Sequence, residues 1–131
     1  MLKEGAIPYN AGSLNGDISL EELERYAHYF TMKCWGVPFN GRIELINREW
    51  KRKSACFLHN GLIIRFSPIT NQSQSMNEVL KVLLHELVHW RLYTAGKPCE
   101  DDTREFIEEA LRVGASFSGA KKAQEAFQKY F

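Results

Sequence analysis

Cysteine is scarce in this chain and badly spaced for pairing or for metal capture. Only Cys34, Cys56 and Cys99 occur among 131 residues, and there is no C-x-x-C. A scattered, odd-numbered set excludes a disulfide framework and a four-cysteine zinc ribbon, and it reads as free thiols in a reducing compartment. Long apolar runs are missing too. Nothing approaches the roughly 20 residues that span a bilayer. The opening MLKEGAIPYNAG lacks the charged-then-apolar layout of a secretion signal. The expectation is a cytoplasmic protein with no membrane partner. Net charge is nearly absent: 17 Lys and Arg face 16 Asp and Glu. No global field therefore draws the chain to nucleic acid.

What is present is the composition of one folded domain. Hydrophobic residues make up 44% and charged residues 25%, which is ordinary for a globular chain. A chain of 131 residues buries one core without staples. The reading is a single domain over residues 1–131, in which residues 1–18, rich in Gly, Asn and Pro, form a loop or loosely packed arm. Charge is unevenly placed. Arg48, Lys51, Arg52 and Lys53 gather around Trp50, whereas the stretch from Glu100 to Glu109 is acidic.

In SLEELERYAHYFTMKCWG, Ser19 and Glu22 form a capping box, Leu20, Leu23, Ala27, Phe30 and Cys34 mark one face, and Gly36 with Pro38 ends a helix. RIELI alternates like a half-buried strand. KSACFLHNGLIIRFS places two strand-like segments around Asn60-Gly61, a pair suited to a tight hairpin. A three-stranded antiparallel sheet is the economical expectation. SPITNQSQ reads as a polar loop, after which Ser75 and Glu78 form a second capping box. The long apolar MNEVLKVLLHELVHWRLYTAG is a mostly buried central helix stopped by Gly96. A third helix starts near Thr103, with Asp102 as its expected cap answered by Glu105, and AKKAQEAFQKYF closes the chain as a short amphipathic helix. The fold class is α+β, a small sheet packed on helices.

The chemistry lies in the central helix. His85, Glu86 and His89 read H-E-x-x-H, and the i, i+4 spacing puts both imidazoles on one face where they reach a single ion. Glu86 points about 100° away from His85, toward metal-bound water rather than the metal. Zinc lowers the pKa of its water to about 7. Glu86 would take the proton as the water attacks a carbonyl, and would then hand it to the leaving amine. A buried charged Glu between two histidines is costly unless a metal or polar network receives it, which weighs against two chance histidines. His28 and His59 have no partner at ligand spacing and read as ordinary histidines. The third ligand stays open on spacing alone. Leu92 and Ala95 stand where a metzincin has its glycine and histidine, so that class is excluded. Glu105, Glu108 or Glu109 would serve in a thermolysin-like arrangement, and Asp101 or Asp102 from the loop before that helix.

With these residues in view, the chain resembles the SprT-like (Spartan-type) zinc metalloproteases, in the shorter form common in phages and Firmicutes. The likeness runs from about Ser19 to Val113. It is carried by the opening helix, WGVPFNGRIELINREWKRKSACFL, LIIRFSP, LLHELVHW, GKP, the acidic loop, the EF containing Phe106, and RVGA. It implies a zincin-like core, Zn2+ held by His85 and His89, and Glu86 as general base. Such proteins usually take their third ligand from a histidine four or five residues before the aromatic, and here those places hold Asp102 and Asp101. Phage-type relatives often carry an aspartate in this loop, which favours Asp101. An aspartate brings negative charge where an imidazole is neutral, and so makes the metal a weaker Lewis acid. The better-known relatives degrade proteins crosslinked to DNA. Here Arg48, Trp50, Lys51, Arg52 and Lys53 form the candidate DNA contact, cations beside a stacking ring. The implied function is zinc-dependent hydrolysis of a protein or peptide substrate. The alternative is a non-catalytic, zinc-containing module that binds DNA or protein.

Overall fold

A computed structural model describes residues 18–48, 55–71, 74–118 and 120–131. The elements are α1 (Leu20–Trp35), β1 (Arg42–Leu45), β2 (Ala55–Leu58), β3 (Ile63–Phe66), the single turn α2 (Pro68–Asn71), α3 (Met76–Thr94), α4 (Arg104–Val113) and α5 (Lys121–Tyr130). Among the described residues these make a mixed α+β fold with a three-stranded sheet.

Local signals place the helix ends. The Ser19 hydroxyl accepts from the Glu22 N–H at 3.1 Å while the Glu22 carboxylate accepts from the Ser19 N–H at 3.3 Å. Ser75 and Glu78 repeat the exchange at 3.1 and 2.8 Å. Each box satisfies two amides that the first helical turn leaves unpaired. α3 stops because Gly96 takes a left-handed φ of 74°, which lets the Lys97 N–H return to the Leu92 carbonyl at 2.9 Å. At α4 the expected cap is corrected: Thr103, not Asp102, is the N-cap, its hydroxyl accepting from the Phe106 N–H at 3.2 Å. The same hydroxyl donates to the Glu100 carbonyl at 2.8 Å. The resulting turn leaves both aspartates free of capping duty. The segment expected as a polar loop holds one helical turn, α2.

The sheet order is β1-β3-β2. β2 and β3 pair antiparallel as expected, with Ala55 opposite Phe66 and Leu58 opposite Ile63. β1 corrects the all-antiparallel expectation, because it runs parallel to β3 with Arg42 opposite Ile63. A hairpin turn specifies only the two strands it joins. The partner of β1 is decided by burial: β3, whose Ile64 and Phe66 are wholly buried, takes the centre. The hairpin is also looser than a two-residue turn. Gly61 and Leu62 both have positive φ, 84° and 54°, and the Leu62 N–H closes on the His59 carbonyl at 3.2 Å.

α3 is the axis of the molecule, packed against β2, α1 and α4. Val79, Leu80, Leu83, Leu84, Leu87 and Val88 are fully buried. Each such side chain contributes about 1.5–3 kcal/mol of transfer free energy. On another side of α3, Trp90 meets Phe39 edge-on at 5.2 Å and donates its indole N–H to the Asn40 side chain at 2.8 Å. Among the described residues, no helix is long and apolar enough to cross a membrane.

Candidate metal centre

His85 and His89 stand one turn apart on α3, their rings 5.0 Å apart. Phe106 of α4 lies against both, 4.9 Å from the His85 ring and stacked 4.3 Å from that of His89. This aromatic wall leaves each imidazole little rotational freedom. Backbone carbonyls do the rest. His85 Nδ1–H donates to the Ser116 carbonyl at 2.7 Å, and His89 Nδ1–H to the Cys99 carbonyl at 2.5 Å. A carbonyl only accepts, so the proton must sit on Nδ1 in both rings, leaving both Nε2 lone pairs for an ion.

Both Nε2 atoms converge on one carboxylate oxygen. Asp101 Oδ1 is 2.7 Å from His89 Nε2 and 3.5 Å from His85 Nε2. The three ligand atoms lie within 4.8 Å of one another, a grouping that could hold a metal. Tetrahedral zinc with bonds of about 2.0–2.2 Å needs its ligand atoms about 3.3–3.6 Å apart. The His85 contact has that spacing, and the His89 contact would open by under about 1 Å to reach it. Without an ion, the crowding calls for another positive charge. Burial opposes charging His85, but the Asp101 hydrogen bond, the Glu86 charge and the Ser116 carbonyl outweigh it and raise its pKa. Burial likewise works against the Asp101 anion, and the two imidazoles overcome it, holding the carboxyl well below the usual range. Donor set, tautomers and charge all suit a divalent cation.

Glu86 is only 6% exposed and lines the same cleft as the histidines and Asp101, a cavity of about 660 Å³. One wall is β2, an outer strand of the sheet among the described residues, through Ala55, Cys56 and Phe57. Facing it are the loop at residues 99–101 and the segment at residues 116–118. The cleft thus brings a cation position, a buried carboxylate and a strand wall together in one place.

Of the candidate third ligands, the structure brings Asp101 to the histidines. Asp102 is turned to Lys122, 3.7 Å away. Glu109 is held by Trp35 Nε1–H at 2.5 Å and by Arg112, and Glu108 reaches Arg104 at 3.6 Å. Among the described residues, Glu105 does not join the metal grouping. Arg48 is exposed, and its carbonyl accepts from the Ser67 hydroxyl. Trp50, Lys51, Arg52 and Lys53 lie outside the described residues. Residues that sequence reasoning missed are Ser116, Phe117 and His59, all on the cleft wall. Ser116 acts through its backbone and had no side-chain signal to find. Phe117 and His59 became neighbours of the site only through folding.

Fold and site together define a mixed α+β protein with a candidate His-His-Asp metal centre beside a buried glutamate. The chain is similar to the "Protein SprT-like" of Staphylococcus aureus (strain MRSA252), 26% identical over 95 residues, which are 72% of this chain and 62% of that relative. It thus spans less than two thirds of the relative's length. No family model matches, and no solved structure matches.

Proposed function

We propose that the protein is a zinc-dependent metallopeptidase of SprT-like type, with a zincin-like core built on the H-E-x-x-H helix α3. The observation that carries this reading is the convergence of two Nδ1-protonated histidines on Asp101, with Glu86 buried in the same cleft. His85, His89 and Asp101 would hold the ion. Zinc there would polarise a substrate carbonyl and make a water acidic enough to attack it at neutral pH. A two-histidine, one-carboxylate set is a known catalytic combination, and three protein ligands leave a coordination position open.

The chain's own residues supply the remaining chemistry. Glu86 accepts the proton of the attacking water and returns it to the amine that leaves. Its burial, at 6% exposure, strengthens that exchange by limiting bulk water around the carboxylate. The similarity to a protein named SprT-like supports the class. We place the protein in the cytoplasm. The exposed Arg48, first residue of a basic stretch, makes DNA-associated polypeptides the substrates to try first.

The test is metal analysis of protein purified without chelator, paired with cleavage assays on wild type and Glu86→Gln. About one zinc per chain, with cleavage lost in the variant while zinc is retained, supports the reading. A folded protein without zinc overturns it. A zinc-loaded wild type that cleaves nothing assigns the chain to the non-catalytic alternative.

A further inference from the structure

A second, smaller cavity opens behind the metal centre and shares Asp101, Phe117 and Ser118 with the main cleft. Its remaining walls are Phe106 and Ile107 of α4 and Ala123, Gln124 and Phe127 of α5. Phe106 is the ring that packs on both histidines. The polar members of the lining are Asp101, whose Oδ1 is turned to the histidines, Ser118 and Gln124. The cavity is therefore mostly apolar inside and shares a wall with the cleft where chemistry would occur.

The cavity volume is about 110 Å³. A dry apolar cavity of roughly 150 Å³ takes benzene, so this one suits a branched aliphatic group and not an aromatic one. It is not a sealed core defect. Phe117 is 43% and Phe127 37% exposed, and their rings meet edge-on at 5.5 Å at the mouth. Such part-exposed apolar surface beside a cleft marks a place that a partner covers.

We propose that this cavity is a specificity pocket that takes a Val, Leu or Ile side chain of the substrate polypeptide, next to the bond that is cut. The proposal rests on the peptidase reading. The occupant follows from the wall shared with the cleft, from the volume, and from a lining whose apolar surface rewards aliphatic burial.

The experiment has two arms. In the first, the zinc-loaded full chain digests an unbiased peptide library. Val, Leu and Ile should be favoured over Gly and Trp by roughly tenfold at one position beside the cut, the usual worth of filling a small apolar pocket. Ala123→Leu, which fills the cavity, should shift the preference to Gly and Ala, and Phe127→Ala should admit aromatic residues. The second arm needs no catalysis. The zinc-loaded Glu86→Gln protein is titrated with acetyl-leucine amide, acetyl-glycine amide and acetyl-tryptophan amide, while backbone NMR shifts near Phe117 and Ala123 are followed. The leucine amide alone should move them, and the effect should vanish in Ala123→Leu. Equal response to all three amides overturns the pocket, as does library cleavage whose preference neither variant alters. Concentration-dependent dimerisation abolished by Phe127→Ala also overturns it, by giving the surface to a second copy. If the leucine amide binds but no peptide is cut, the cavity stands as an aliphatic-binding pocket, and the hydrolytic reading falls together with the specificity role that rests on it.

Discussion

His89 Nδ1–H donates to the backbone carbonyl of Cys99 at 2.5 Å, two residues ahead of the Asp101 carboxylate that sits 2.7 Å from the other nitrogen of the same ring. One short loop therefore orients the imidazole from one side and faces its lone pair from the other. Loop and helix are locked as a unit, and the consequences can be measured.

Asp101→Ala should weaken zinc binding by more than the roughly 10–100-fold typical of losing a supporting hydrogen bond to a ligand, whereas Asp102→Ala should leave affinity within about threefold, as expected for a surface ion pair of low worth. Competition against a zinc-sensitive chelating dye compares the two. Equal losses would show that the loop, and not the Asp101 oxygen, is what matters.

Glu86→Gln should lower the rate of peptide cleavage by about 10²–10⁴-fold with zinc content unchanged, since a general base is worth that much. Single-turnover assays with parallel metal analysis check it. Loss of zinc in the variant would mean that Glu86 is structural.

Chelation should lower the melting temperature without unfolding the protein at room temperature, because the fully buried Leu83, Leu84, Leu87 and Val88 hold α3 independently of the ion. Ligand linkage makes the drop larger the further free zinc stood above its dissociation constant. Circular dichroism with and without chelator measures both, and a collapse of helicity on chelation would contradict the expectation.

Glu109 joins α4 to α1, accepting from Arg112 Nη2–H at 2.7 Å and from the Trp35 indole N–H at 2.5 Å. The Arg112 hydrogen bond, opposed by burial and aided by Trp35, lowers its pKa from 4.5. A depressed carboxyl stabilises the fold above its unfolded pKa and loses that contribution as pH falls through the folded one. Glu109→Gln should therefore cost about 1–2 kcal/mol at neutral pH. The gap from wild type should close below the unfolded value of 4.5. Urea unfolding across pH tests the sign.

Gly41→Ala should destabilise by about 1–3 kcal/mol, the usual cost of forced overpacking. Its Cβ would press into the Leu62 carbonyl and the Phe39 ring, and that carbonyl already accepts from the Arg42 N–H at 2.9 Å where β1 joins β3. Thermal melts of the variant should show the loss.

Much of this was legible from residues alone because it depends on near neighbours in the chain. The boxes at Ser19 and Ser75, the left-handed stops at Gly36 and Gly96, and the placement of His85 and His89 on one helical face follow from helix geometry within four or five positions. What the tertiary structure decided involves distant or unsigned partners. β1 lies parallel to β3 because burial, not a turn, chose the central strand. Thr103 took the cap that Asp102 was expected to fill, since its hydroxyl could also close the turn on Glu100. With Thr103 as the cap, Asp102 faces Lys122 while Asp101 meets the histidines. The carbonyls of Ser116 and Cys99, which set both tautomers, carry no side-chain signature at all, so only the folded backbone could place them.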